Sequence, residues 1–252
     1  MIDIAGPQRV ALITGGARGL GRAVGEALAA QGCALFLVDI LGDRLAATKA
    51  ELAAQGITVE TFTADIAERA QCHAAVDAVI ATYGRLDILC NAAAIVRFNH
   101  ATDVPEAEFN RIMAVNAAAP FWFCQAAIPH LIETRGNIVN VASQAGLMGC
   151  PYIVPYTASK GAVIQMTKSL AMEYMDAPIR INAVCPGTMA TEIGEGNTMP
   201  EGIDMEKVKR YTGQRPATQA AEVAALIAFV ASPQASAVQG SILTADGGVT
   251  AG

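Results

Sequence analysis

Short apolar runs alternate along the chain with stretches whose apolar positions recur every three or four residues. "VALIT" at 10–14 reads as a buried strand, and 21–32 as a helix stopped by Gly32. A strand at 34–39 and a helix at 43–56 follow, then a β-rich segment at 58–65, a helix at 69–84 and a strand at 86–93. A long helical pattern covers about 105–134, interrupted by Pro120 and Pro129. A strand at 136–143, a helix at about 156–175, a strand and turn at 179–187, a helix at 219–232 and a last short strand at 241–248 complete the pattern. Regular β-α-β alternation with apolar strands predicts an α/β fold: a doubly wound parallel sheet with helices on both faces. No linker or composition shift divides the chain, so residues 1–252 read as one domain. The exception is 188–215, rich in Met, Gly, Glu and Thr, which is expected to be a substrate lid.

Composition narrows the function classes. The chain is 53% hydrophobic and 16% charged, so it can bury a sizeable core rather than stay disordered. The net charge of −6, without a basic run, excludes nucleic acid as an expected partner. The apolar runs read as strand-sized, short of the roughly 20 residues of a membrane helix. The N-terminus lacks the pattern of a signal peptide, so a cytoplasmic location with no membrane partner is expected. Six scattered cysteines without a C-x-x-C pair read as reduced, buried thiols. His73, His100 and His130 lack metal-ligand spacing, and no metal is expected.

"ITGGARGLG" joins the first strand to the first helix, with Gly15, Gly19 and Gly21 spaced G-x-x-x-G-x-G. Such glycines alone mark only a tight turn. Between a strand and a helix, with an acidic residue ending the next strand, they predict a dinucleotide site. Gly15 allows the sharp turn, Gly19 keeps side chains away from a pyrophosphate, and the helix N-terminus offers N–H groups and partial positive charge. Asp39 is placed to accept hydrogen bonds from ribose hydroxyls and to repel a 2′-phosphate. Ile40 follows it where a phosphate-binding Arg would otherwise stand, which predicts NAD. Arg18 argues the other way, since a basic residue in this loop is able to reach a 2′-phosphate.

Tyr156 and Lys160 share a helix face by their i, i+4 spacing. By itself such a pair is a solvated surface contact. Together, T-G-x-x-x-G-x-G (Thr14–Gly21), N-A-A-A (Asn91–Ala94), Asn116, Ser143, Y-x-x-x-K (Tyr156, Lys160) and P-G (Pro186, Gly187) occur in order. This series resembles the classical short-chain dehydrogenase/reductases over essentially the whole chain. The resemblance implies a seven-stranded Rossmann-type sheet, a homotetramer or dimer built on the long helices, and a catalytic tetrad of Asn116, Ser143, Tyr156 and Lys160. It implies that Asp65 binds the adenine amino group and that Asn91 closes strand four at the cofactor. It also implies that Pro186 to Thr191 hold the nicotinamide carboxamide through Met189 backbone and the Thr191 hydroxyl. Leu20, Ile40, Ile66, Ala92, Ala93 and Gly187 belong to the same cofactor set. Asn91-Ala92-Ala93-Ala94 departs from the usual N-N-A-G, and the Ala94 methyl is expected to narrow the space beside the nicotinamide or substrate.

For Tyr156 to act as a base near neutrality its pKa must fall from about 10 to about 7, roughly 4 kcal/mol. A cation about 4 Å away supplies on the order of 4 kcal/mol at an effective dielectric of about 20. Burial opposes it, so Lys160 alone is marginal and the positive nicotinamide ring is expected to supply the rest. Ser143 is expected to orient the substrate oxygen. Pro120 removes the N–H that the Asn116 carbonyl would accept four residues on, predicting a kink and a carbonyl free for a water near Lys160. The alternative is a plain helix break with Asn116 as a local cap.

Candidate pocket residues are Ile95, Val96, Arg97, Gln144, Ala145, Leu147, Met148, Cys150, Tyr152 and Ile153, with Met189, Ile193, Met199 and Met205 from the lid. Ser143, Ala145, Met148, Tyr152, Ile153, Tyr156 and Met189 form the expected substrate contacts. Their apolar character favours a cyclic or aryl secondary alcohol as the small-molecule substrate. Two other readings stand beside this one: an NADPH-dependent 3-oxoacyl carrier-protein reductase, against which Asp39 and the acidic charge argue, and a non-catalytic dinucleotide-binding protein, against which the intact tetrad argues.

Overall fold

The computed structural model describes residues 7–194, 198–213 and 215–251. The lid expected at 188–215 therefore lies partly outside the described residues.

Seven parallel strands form one sheet in the order β3-β2-β1-β4-β5-β6-β7. The first half is β1 (Val10–Thr14), α1 (Gly19–Ala29), β2 (Ala34–Asp39), α2 (Gly42–Ala54), β3 (Val59–Thr63), α3 (Arg69–Tyr83) and β4 (Ile88–Asn91). The second is α4 (Glu106–Met113), α5 (Ala119–Thr134), β5 (Asn137–Val141), α6 (Val154–Glu173), β6 (Arg180–Pro186), α7 (Met205–Thr212), α8 (Ala220–Val230) and β7 (Ile242–Ala245).

The apolar strands are buried on both faces, and alternation along each sorts residues between two cores. Val10 and Leu12 of β1 join Phe36, Phe123, Leu131 and Leu170 under α3, α5 and α6. Ala11 and Ile13 join Leu35, Val24, Leu52 and Ile227 under α1, α2 and α8. Strand order reverses between β1 and β4, where Thr14 lies opposite Asn91. A doubly wound sheet leaves its crevice at the carboxyl ends of such strands.

Pro120 and Pro129 do not divide the long helical stretch. Pro129 lies inside α5. Pro120 follows a π-turn at Ala114–Ala118, in which the Ala119 N–H reaches back five residues to the Ala114 carbonyl. The missing proline N–H is thus absorbed by one wide turn rather than a break. Within residues 106–134 an 18-residue window with a mean hydropathy of 1.3 is apolar and long enough to pass for a membrane span. The expectation that apolar runs are only strand-sized fails for this stretch. Half of that window is buried in the fold, as in a core helix.

The helix α7 was not expected within 188–215. It carries only two core residues, Val208 and Tyr211, one turn apart. Asp204 caps it, accepting from the Glu206 N–H at 3.0 Å.

Candidate active site

The glycine loop is tied down from both sides. Gly15 N–H donates to the Val38 carbonyl at 2.8 Å. Its φ of +73° suits glycine, and a Cβ there would come 3.0 Å from Ala93 Cα. At Gly21 a Cβ would lie 2.2 Å from the Gly15 carbonyl oxygen, so the first turn of α1 packs on the loop only without a side chain. The Thr14 hydroxyl accepts from Ala92 N–H at 3.0 Å and Ala93 N–H at 3.1 Å, stitching the loop to the segment after β4. Thr14 belongs to the glycine motif, but its bridging role has no sequence signal. The Asp39 carboxylate accepts from the Ala17 N–H at 3.0 Å and the Leu41 N–H at 3.1 Å. Each oxygen keeps a second lone pair.

These elements enclose a cavity of about 290 Å³. Gly15, Arg18, Gly19, Leu20, Gly21, Asp39, Ile40, Asp65, Ile66, Ala92, Ala93, Pro186, Gly187, Met189 and Thr191 all line it. So do Ala94, Ile95, Arg97 and Ile193, and at its far end Ser143, Tyr156 and Lys160. The residues fit a dinucleotide: a loop that approaches closely only as glycine, helix N–H groups, and a carboxylate at the end of β2.

Asp65 lines the cavity and also has partners within the protein. Its carboxylate pairs with Arg111 at 2.8 Å and accepts from the Ala67 N–H at 3.0 Å. The Arg111 hydrogen bond holds its carboxyl below the ordinary value. Arg111, from α4, lines the cavity and has no signal in the sequence. Asn91 does not line the cavity. It is buried, and its amide donates to Asn140 Oδ1 at 2.8 Å, while the Asn140 amide donates to Thr167 Oγ1 at 3.0 Å. The β4 end is thereby pinned to β5 and α6.

Helix α6 begins at Val154, two residues before the expected start, because Pro155 fits the first turn. Tyr156 thus sits in that turn and Lys160 one turn on. Ser143 follows β5, where its Oγ accepts from the Ala145 N–H at 3.1 Å. Burial pushes Tyr156 up to about 12, although its interaction with Ser143 acts in the opposite direction. Burial pulls Lys160 down to about 8. The ammonium donates to the Val141 carbonyl at 2.8 Å and lies 5.7 Å from the centre of the Tyr156 ring. In the protein alone Tyr156 is thus raised rather than lowered, with desolvation the largest cause.

Asn116 is fully buried in the π-turn and does not line the cavity. Its Oδ1 accepts from Ile95 N–H at 2.9 Å, and its amide donates to the Ile95 carbonyl at 2.8 Å and to Ser159 Oγ at 3.1 Å. Ser159 in turn donates to the Tyr156 carbonyl at 2.7 Å. The side chain therefore clamps the cavity wall to the turn that carries Tyr156. Sequence reasoning missed Ser159, whose type at that position has no distinctive pattern.

Of the expected substrate contacts, Ser143, Tyr156 and Met189 line the cavity, whereas Ala145, Met148, Tyr152 and Ile153 do not. Those four pack with Val96, Cys150, Val208, Tyr211 and Tyr156 in a separate apolar cluster beside it. Leu147, Met199 and Met205, expected at the pocket, are surface-exposed. Tyr152 has φ +68°, and its hydroxyl accepts from the Asp204 N–H at 3.0 Å. His100 Nε2 meets the Glu201 carbonyl at 2.8 Å, and the Gln144 amide donates to the Tyr211 carbonyl. The region of α7 is thus docked on the loops that carry Ser143.

Glycine loop, switch-point cavity and Ser-Tyr-Lys cluster together define a nucleotide-dependent oxidoreductase of the Rossmann type. The short chain dehydrogenase family model matches residues 9–201, and the chain belongs to that family. It is 35% identical to 2-(S)-hydroxypropyl-CoM dehydrogenase 3 of Xanthobacter autotrophicus, covering 96% of each. It is 34% identical to a 3-oxoacyl-[acyl-carrier-protein] reductase of Thermotoga maritima, over 96% of this chain and 97% of the other. A dehydrogenase/reductase from Sinorhizobium meliloti superposes with a TM-score of 0.86 at 31% identity, over 96% of this chain and 95% of that one.

Proposed function

We propose that the protein uses NAD to interconvert a hydrophobic, cyclic or aryl secondary alcohol and its ketone, with Tyr156 as acid and base. The observation that carries this reading is the convergence of Ser143, Tyr156 and Lys160 on one end of the cavity whose other end holds Asp39. NAD supplies the hydride acceptor, which no side chain provides, and carries a positive ring in its oxidised form. In the protein alone the proton rests on Tyr156, ready for donation to a ketone oxygen, and Ser143 binds that oxygen. Lys160 holds the cationic end of the site against Val141 and orients a ribose. Asn116 and Ser159 are positioning residues for Tyr156. Asp39 at the ribose end supports NAD over NADP.

Ile95, Met189 and Ile193 on the cavity wall support an apolar substrate. Similarity to 2-(S)-hydroxypropyl-CoM dehydrogenase 3 supports a secondary alcohol. Similarity to the acyl-carrier reductase keeps that second reading in view. One continuous sheet supports a single domain. Exposed Phe109 on α4, Phe121 on α5 and Met172 on α6 support a homotetramer or dimer built on those helices. We also infer a cytoplasmic location. A panel of secondary alcohols tested with NAD and NADP, read by the absorbance of the reduced nicotinamide, checks the reading. Turnover of apolar alcohols with NAD is expected, and turnover of acyl-carrier substrates with NADPH alone would overturn it.

A further inference from the structure

One arginine lines the cavity beside Asp39, and a second is paired to a carboxylate on its wall. Arg18 lines it from the glycine loop beside Asp39, Ile40 and Leu41. Arg44 comes from the first turn of α2, three residues after Leu41. Asp39 alone is a weak barrier where guanidinium groups are at hand, because arginines are what a phosphate dianion prefers. A second carboxylate alters that balance. Glu192, just past the segment that ends in Thr191, also lines the cavity. Its Oε1 lies 2.6 Å from Arg44 Nη2. Its Oε2 lies 3.7 Å from where a Cβ on Gly19 would stand, next to Arg18. Partial burial pushes the Glu192 carboxyl up, yet its backbone hydrogen bond, Arg44 and Arg18 together hold it below the ordinary value. It is a carboxylate held between the two cations.

We propose that Glu192 is a cofactor-specificity residue: by occupying Arg44 and facing Arg18 it withholds both guanidinium groups from a 2′-phosphate and so excludes NADP. The inference rests on the NAD reading above and extends it to the far side of the cavity. Neither the glycine motif nor the residue after β2 encodes this device. It joins elements 148 residues apart in the chain. A surface ion pair that only ties the Thr191 segment to α2 would weaken both cofactors alike when broken.

Binding of NADPH and NADH is measured by the fluorescence of the reduced nicotinamide, alongside kcat/KM with NADP and NAD, in wild type, Glu192→Gln, Glu192→Gln/Arg44→Met and Glu192→Gln/Arg18→Met. Glu192→Gln is expected to raise affinity for NADPH relative to NADH roughly three- to tenfold. Removal of Arg44 or Arg18 is expected to cancel part of that gain. An unchanged ratio in Glu192→Gln, or a gain that survives both arginine substitutions, overturns the assignment of Glu192. Wild-type protein that binds NADPH more tightly than NADH overturns instead the NAD reading itself.

Discussion

The Lys160 ammonium donates to the Val141 carbonyl at 2.8 Å, while its distance to the centre of the Tyr156 ring is 5.7 Å. Lys160 is buried and Tyr156 partly so, and desolvation drives each toward its neutral form: Tyr156 up to about 12, Lys160 down to about 8. A tyrosinate is therefore not stored in the protein awaiting substrate. Spectrophotometric titration of ligand-free wild type minus Tyr156→Phe checks this. The difference is expected to show no tyrosinate below about pH 11, and an ionisation near 7 would contradict it.

Lys160 also leaves a mark on stability. Its folded value of about 8 lies below the ordinary Lys value, so burying the charge destabilises the fold fully below pH 8. That penalty, on the order of 3 kcal/mol, fades as pH rises toward about 10.5. All six buried thiols, raised by burial, act in the opposite sense over the same range. The informative quantity is thus the Tm of Lys160→Met minus that of wild type, in which the thiol contributions cancel. This difference is expected to fall by several degrees between pH 7 and 10. A constant difference would contradict the buried ammonium.

Where the chain speaks through periodicity, the elements are legible. β1 and β2 occupy the residues their apolar runs mark, and their alternation assigns each side chain to one of two cores. The glycine loop and the Tyr156–Lys160 pair are legible because close backbone approach and helix spacing restrict residue type, whereas Ser143 is marked only by its order in the motif series that resembles the family. What escaped were partners brought together only by folding: Arg111 on Asp65, Asn140 on Asn91, Ser159 on Asn116, and Glu192 between Arg18 and Arg44. Tyr152, Ile153 and Met148 were placed at the substrate because they follow Ser143 in sequence. Burying them against Tyr211 of α7 instead takes them off the cavity wall. A helix with only two core residues carries too little pattern to be seen.

Asn116 satisfies both backbone groups of Ile95 from a fully buried position. Truncation in Asn116→Ala leaves them unpaired, with a loss of about 2–3 kcal/mol expected in denaturant unfolding. Because Ser159 and Tyr156 lose their tether, kcat is expected to fall more than cofactor affinity. Unaltered stability would show that the clamp is not formed.

All six cysteines are free and buried. Burial raises Cys90 and Cys124 to about 12, so the reactive thiolate is scarce at neutral pH. Titration with a disulfide reagent at pH 8 is expected to find no fast-reacting thiol in the native protein and six after denaturation. Rapid native modification of several thiols would contradict this packing.

The account stands on the Tyr156 hydroxyl as the group that moves the proton. Tyr156→Phe removes one oxygen from the start of α6 and leaves the ring in its cluster. With a secondary alcohol that wild type oxidises, the variant is expected to lose kcat by roughly 10²–10⁴-fold while still binding NADH within a few-fold of wild type. Retention of wild-type kcat by Tyr156→Phe would contradict the mechanism.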